Sequence, residues 1–336
     1  MQKEVVVSGI RPTGFLHLGN YFGALRNYVR MQDDYQCYFF VANWHSLTTH
    51  PDTRELQKSV LRVLAENMAC GLDPEKVALY VQSDVPEIAE LYLYFNMLAY
   101  KGELEKTVTF KDKVRQQPDN VNAGLLTYPV LQAADIIIQR AVKVPVGKDQ
   151  EQHLEMARNF AERFNYRYGD ILPLPYAFNY GEDLIRIMGL DGNGKMSKSE
   201  NQMATLYLAD EDDVIRKKIM KAKTDQGPAT VHSDMPDFIQ NLFTLLGLVS
   251  QADVVDHFKT QFNNSSAGNC VIRYGDLKKQ LAEDMVQFIS PIREKAAALQ
   301  ADEKKLKDLM AMGADKARTR AKETLYLVRQ AIGLNY

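Results

Sequence analysis

Three short runs rich in β-branched and aromatic residues, "EVVVS" (4–8), "QCYFFVANW" (36–44) and "KVALYVQ" (76–82), are each followed by a stretch whose large residues recur at helical spacing. Those stretches are "LGNYFGALRNYVRMQ" from Leu18, a second over about 53–71, and "EIAELYLYFNMLA" (87–99). Strands separated by whole helices cannot pair through tight hairpin turns; they run parallel, and the helices cover the sheet. The alternation therefore predicts an α/β fold, a Rossmann-like doubly wound parallel sheet that binds ligands beyond the carboxyl ends of its strands.

The pattern changes after about residue 203. "DEDDVIRKKIMKAKTD", "MPDFIQNLFTLLGLVS", "YGDLKKQLAEDMVQFISPIREKAAALQ" and "ADKARTRAKETLYLVRQAIG" all have helical spacing, and no strand run competes. The expected organisation is a catalytic α/β domain over 1–203, an all-helical domain over 204–312, and a C-terminal helix in 313–336 that packs back through Leu325, Val328 and Ile332. A length of 336 residues suits about two domains. No apolar run approaches the roughly 18 residues of a membrane span and "MQKEVVVSG" does not have the form of a signal peptide, so a cytoplasmic protein is expected. Cys37, Cys70 and Cys270 are too scattered for a disulfide framework or a Cys-x-x-Cys site, and a net charge of −2 argues against non-specific coating of nucleic acid.

The turn after the first strand, "SGIRPTGFLHLGNY" (8–21), carries Gly9, Gly14 and Gly19. Their spacing does not fit G-x-G-x-x-G, and Phe15-Leu16 stand where a P-loop requires Lys and Ser or Thr. What remains is a glycine-rich crossing into a helix mouth that can receive an anion, flanked by His17 and Asn20. A second glycine-rich stretch, "GLDGNGKMSKSEN" (189–201), is a turn followed by Lys195 and Lys198. Taken alone, the pair is either two solvated surface lysines or a cationic loop for a polyanion. No His, Cys or carboxylate cluster has metal-ligand spacing.

"HLGN" at 17–20 and "KMSKS" at 195–199, in that order and about 175 residues apart, resemble the two signature motifs of the class I aminoacyl-tRNA synthetases. Asn20 replaces the final histidine of the first motif, a variation the resemblance associates with the bacterial-type tryptophanyl branch. "GIRPTG", "GLLTYPVLQAADI" (124–136), "VPVGKDQEQHLEMAR" (144–158) and "RIMGL" (186–190) are similar to the same branch. The resemblance covers nearly the whole chain. It implies ATP-dependent attachment of L-tryptophan to tRNA(Trp) through an aminoacyl-adenylate, ATP with Mg²⁺ as substrate and no tightly bound cofactor, and a homodimer.

The resemblance also implies roles. His17, Asn20, Lys195, Lys198 and Lys113 would stabilise charge during adenylate formation, where positioned cations and N–H donors dominate. Arg11, Pro12, Thr13, Gly19, Gly147, Lys148, Asp149, Ile187, Met196, Ser197 and Ser199 would line the ATP site with them. Tyr128 and Gln150 would hold the substrate's amino group, and Val7, His45, Gln132, Val144 and Val146 would shape the side-chain pocket. Indole offers one N–H donor and no acceptor, so its pocket needs one buried acceptor; Asp135, the lone acid within "VLQAADIII", fits that need. Val7 and Gln132 stand where the best-known tryptophanyl enzymes carry phenylalanine and methionine. Two alternatives stay open: a tyrosyl enzyme with the same signature pair, and a tRNA-binding paralogue without catalysis. The run "IRKKIMKAK" (215–223) is expected to offer RNA a basic surface.

Overall fold

The computed structural model describes residues 3–12, 14–49, 52–147, 150–180, 185–197 and 201–336. Five strands among them form one sheet: β1 (Val5–Ile10), β2 (Gln36–Val41), β3 (Ala78–Val81), β4 (Lys143–Val144) and β5 (Tyr176–Ala177). Every pairing is parallel and the order is β3-β2-β1-β4-β5. The first three strands occupy the predicted runs. The last two were not legible, because two residues are too few to show alternation.

Chain order reverses at the junction of β1 with β4, the switch point at which doubly wound sheets open a crevice for ligands. The sheet core is built from Val7, Tyr38, Phe40, Tyr80, Ile136, Ile137 and Val144 with residues of the covering helices Glu87–Leu98, Ala123–Ile138 and Glu151–Tyr168. Parallel strands covered by helices are buried on both faces, even β3 at the sheet edge, which is why β2 and β3 read as continuous apolar runs.

The chain forms two compact units, each discontinuous in sequence. One comprises residues 1–13, 28–183 and 300–336; the other comprises 14–27 and 184–299. The first contains the whole sheet. The second combines the glycine-rich helix mouth with the lysine stretch and the helices Asp212–Met220, Asp237–Val249, Ala252–Asn263 and most of Tyr274–Ala301. Among the described residues no helix is long and apolar enough to cross a membrane.

The last helix is longer than its apolar spacing indicated. It runs from Glu303 to Ile332, through the boundary drawn at 312, with the Asp302 side chain accepting from the Lys305 N–H at its start. Ala314, Ala317, Ala321, Leu325 and Val328 join the sheet core, while Ile332 is only partly buried against it. Small residues let the helix backbone approach β3 closely. A Cβ built on Gly313 would lie 1.9 Å from the Leu79 carbonyl oxygen, and a strand backbone cannot swing aside as a side chain can. Gly313→Ala is expected to cost about 1–3 kcal/mol or more by overpacking, read as a lowered denaturation midpoint at unchanged slope.

Candidate active site

The sheet unit holds a cavity of about 360 Å³ lined by Gly9, Arg11, Phe40, Ala42, His45, Thr109, Lys113, Tyr128, Gln132, Gln150 and His153. Gly9 and Phe40 lie near the carboxyl ends of β1 and β2. A side chain at Gly9 would strike the Phe40 ring, 2.6 Å from Cζ, so glycine is what keeps that wall open.

Behind His45 lies a buried polar group. Asp135 is wholly inaccessible, and His45 Nε2–H donates to its Oδ2 at 2.7 Å. Gln82 Nε2 donates to both carboxylate oxygens at 2.8 and 3.0 Å. The amide of Gln82 cannot turn over without loss, because its Oε1 accepts the Trp44 N–H at 3.0 Å. Burial pushes the Asp135 carboxyl up from its ordinary value, and the hydrogen bonds from His45 and Gln82 oppose that rise. Each carboxylate oxygen has two lone pairs, so these contacts leave room for a further donor. Asp135 itself does not line the cavity; His45 stands at the wall in its place.

The opposite chemistry gathers around Tyr128. Its hydroxyl donates to Thr109 Oγ1 and also shares a 2.8 Å hydrogen bond with His153 Nε2, while His153 Nδ1 meets Gln150 Oε1 at 3.1 Å. Lys113 Nζ sits 3.7 Å from the centre of the Tyr128 ring. Burial, together with the positive charge of Arg11, lowers the Lys113 amine to about 8. Two cations that repel each other inside one cavity favour an anion between them.

That shift sets a pH dependence. The unfolded chain keeps its lysine proton up to the ordinary 10.5, so between about 8 and 10.5 the unfolded state binds more protons and folding stability rises with pH. Anion capture runs the other way, since Lys113 loses its charge above about 8. Binding of an anion in the cavity is expected to weaken as pH rises through that value. Lys113→Arg, which stays charged, should move that fall in affinity to higher pH; an unmoved fall would assign it to another group.

In the second unit, residues 187–196 form a short β-hairpin that presents the first motif lysine. Met188 and Lys195 form an antiparallel bridge, Met196 N–H donates to the Ile187 carbonyl at 2.9 Å, and Gly192 and Gly194 take positive φ values of 76° and 65°. The Asp191 side chain accepts the Asn193 N–H at 3.1 Å and closes the turn. Lys195 points into solvent while the next side chain, Met196, is buried and anchors the strand. Asn241, from the helix Asp237–Val249, pairs with both polar groups of the Met188 backbone, at 3.1 and 3.2 Å.

The two signature motifs meet. Leu18 N–H donates to the Leu206 carbonyl at 3.0 Å, Leu208 N–H donates to Leu16 at 2.9 Å, and His17 bridges Tyr207. A Cβ on Gly19 would lie 2.9 Å from His17 Nδ1 and 3.6 Å from the Met196 carbonyl, so the glycine makes room for both the imidazole and the lysine strand. Asn20 Oδ1 accepts the His17 N–H at 3.1 Å. The helix that begins here contains a π-helical turn at Tyr21–Leu25, a geometry frequent at functional sites and invisible to a 3.6-residue pattern.

The family model described as tRNA synthetases class I (W and Y) matches residues 2–290. The chain belongs to this family. It is 57% identical over 331 residues to the tryptophan–tRNA ligase of Porphyromonas gingivalis (strain ATCC BAA-308 / W83), a match covering 98% of this chain and 99% of that one. Among solved structures, the Campylobacter jejuni tryptophanyl-tRNA synthetase complexed with ADP and tryptophan superposes with a TM-score of 0.86 at 33% identity, covering 98% of this chain and 100% of that one. The Mycoplasma pneumoniae tryptophanyl-tRNA synthetase gives 0.82 at 33% identity, covering 100% and 99%.

Within this synthetase, the expected residues fall into separate groups. Arg11, His45, Lys113, Tyr128, Gln132 and Gln150 surround the cavity, with Asp135 one layer behind. Val7 and Val144 are core residues, Val146 packs against that core, and Pro12 is buried; none of them lines the cavity. His17, Gly19, Asn20, Ile187, Lys195, Met196 and Ser197 belong to the second unit, where Ile187 is fully buried and serves through its carbonyl. Gly147 is half-buried in the sheet unit. Thr13, Lys148, Asp149, Lys198 and Ser199 lie outside the described residues.

Several site residues carried no signal in the sequence. Gln82, Thr109, His153 and Asn241 act through contacts with residues far along the chain, and polar side chains of these types are common on any surface. The basic surface expected over 215–223 is smaller than its lysine count. Lys218 is buried against Asp210, and Arg216 is engaged by Glu283 and Asp213, leaving Lys217, Lys221 and Lys223 exposed.

Proposed function

We infer that this synthetase is the tryptophan-specific member of its family and charges tRNA(Trp). The observation that carries the chemistry is the meeting of the two motifs, with Gly19 against Met196 and His17 paired beside the strand that follows the lysine hairpin. An oxygen of the tryptophan carboxylate attacks the α-phosphorus of ATP and pyrophosphate leaves. A hydroxyl of the terminal tRNA ribose then attacks the adenylate carbonyl, releasing AMP. Charge develops on the phosphoryl oxygens, and His17, Asn20, Lys195 and Lys198 supply donors and cations for it. The resemblance also assigns Thr13, Lys148, Asp149 and Ser199 to nucleotide binding, and Mg²⁺ accompanies the ATP as part of the substrate.

Tryptophan fills the 360 Å³ cavity, a volume within the ordinary range for a ligand pocket. Its ammonium meets Tyr128 and Gln150, its carboxylate meets Arg11 and Lys113, and its indole N–H points to the His45–Asp135–Gln82 end. The 57% identity to a tryptophan ligase over nearly both full lengths supports tryptophan over tyrosine. The test is charging of a tRNA(Trp) transcript with each amino acid: acceptance of tryptophan alone is expected, and charging with tyrosine would reverse the assignment.

The helices of the 204–312 region read the tRNA, with Lys217 and Lys221 toward its backbone. The protein works in the cytoplasm as a homodimer. Leu93, Met97 and Tyr100 stand exposed on one side of the segment whose other residues, Leu91, Phe95, Leu98 and Leu104, form core. An apolar stripe of this kind suits a self-complementary interface. Met97→Asp is expected to give monomers in sedimentation equilibrium, and a dimer of unchanged affinity would place the interface elsewhere.

A further inference from the structure

We propose that Thr205, held in place by the buried Lys218–Asp210 pair, is a positioning residue for adenylate formation that sets the lysine hairpin against the first motif. The inference rests on the reading that His17 and Lys195 serve the ATP phosphates. Thr205 is 2% exposed, and its single hydroxyl proton is shared between the carbonyls of Ser197, at 2.7 Å, and Asn201, at 3.1 Å. One side chain thus gathers both ends of the stretch that contains the second motif lysine. The next residues, 206–208, are those that pair with Leu16–Leu18 around His17. A shift at Thr205 would move the lysine strand and the histidine relative to each other.

Lys218 fixes this segment from within. Its ammonium donates to the Thr205 carbonyl at 2.8 Å and to Asp210 Oδ1 and Oδ2 at 2.8 and 2.7 Å, and it sits 4.7 Å from the Tyr207 ring centre. Asp210 Oδ2 also accepts the Tyr207 N–H at 2.9 Å. All three ammonium donors are therefore directed into residues 205–210. A buried ion pair is often no better for stability than well-packed apolar residues, and fixing one geometry is the better-attested use of such a pair. Here the fixed geometry is that of a turn with a motif on either side.

The test compares Thr205→Val, which deletes the hydroxyl at constant shape, with Thr205→Ser, which restores it. Tryptophan-dependent ATP–pyrophosphate exchange gives kcat and both KM values, and thermal unfolding gives Tm. Thr205→Val is expected to lower kcat on the order of 10- to 100-fold, the scale of a misplacement near 1 Å, with the tryptophan KM and Tm close to wild type. Thr205→Ser should recover most of the loss. Wild-type kcat in Thr205→Val overturns the proposal, and so does a loss shared with Tm and the tryptophan KM, which would make Thr205 a fold residue only. If Thr205→Val does not fold, Lys218→Arg carries the same readout, because a planar guanidinium cannot reproduce the compact ammonium. Lys195→Ala is the control: unimpaired exchange there refutes the underlying reading of the motifs, whereas an impaired Lys195→Ala beside a normal Thr205→Val refutes this proposal alone.

Discussion

Asp135→Asn is expected to lose tryptophan activation on the order of 10⁴-fold in kcat/KM, the scale on which a site built around one hydrogen bond rejects a mismatched partner. The size follows from how the carboxylate is held. Gln82 is locked by the Trp44 N–H with its amide donors facing Asp135, so an Asn in that place must keep its oxygen toward Gln82. Its NH₂ group then takes the place of Oδ2, facing His45 and standing donor against donor 3.0 Å from Gln82 Nε2, and the acceptor left for the indole N–H is a displaced, neutral amide oxygen in place of a carboxylate. His45 can change tautomer to accept from Asn, so the fold should survive while the substrate contact does not. Pyrophosphate exchange with tryptophan titrated against each protein measures the loss, and wild-type kinetics in the variant would remove Asp135 from the site.

Lys195→Ala should lower the rate of adenylate formation by about 10²–10³-fold, as expected for loss of one positioned group that meets transition-state charge. The side chain is exposed and its removal opens no core, while Met196 and the backbone bridge to Met188 keep the hairpin folded. Tryptophan affinity, measured by calorimetry without ATP, should therefore stay within about twofold of wild type, well inside the tenfold that 1.4 kcal/mol represents. A matching loss of tryptophan affinity would mean that Lys195 supports the fold.

The parts of this account legible in the sequence are those that local pattern determines. β1, β2 and β3 were visible as apolar runs because helices cover both faces of the parallel sheet. Gly192 and Gly194 announced a turn because only glycine takes positive φ without cost. Asp135 stood out because an acid in an apolar helix must find partners. Its partners did not stand out: Gln82 lies 53 residues away and His45 lies 90 away, joined only by the fold. The lysine count over 215–223 was misleading for the same reason, since nothing local tells that Lys218 turns inward to Asp210. Residues 14–27 leave the sheet unit for the helical one, a grouping set by long-range pairing with 206–208 that no boundary drawn along the chain could express.

The most direct measurement is amino-acid-dependent ATP–pyrophosphate exchange on the purified protein, with tryptophan and tyrosine in parallel. The account predicts exchange with tryptophan and none above background with tyrosine, in keeping with the 57% identity to a tryptophan ligase. Exchange with tyrosine, or with neither amino acid in folded protein that still binds tRNA, would contradict it.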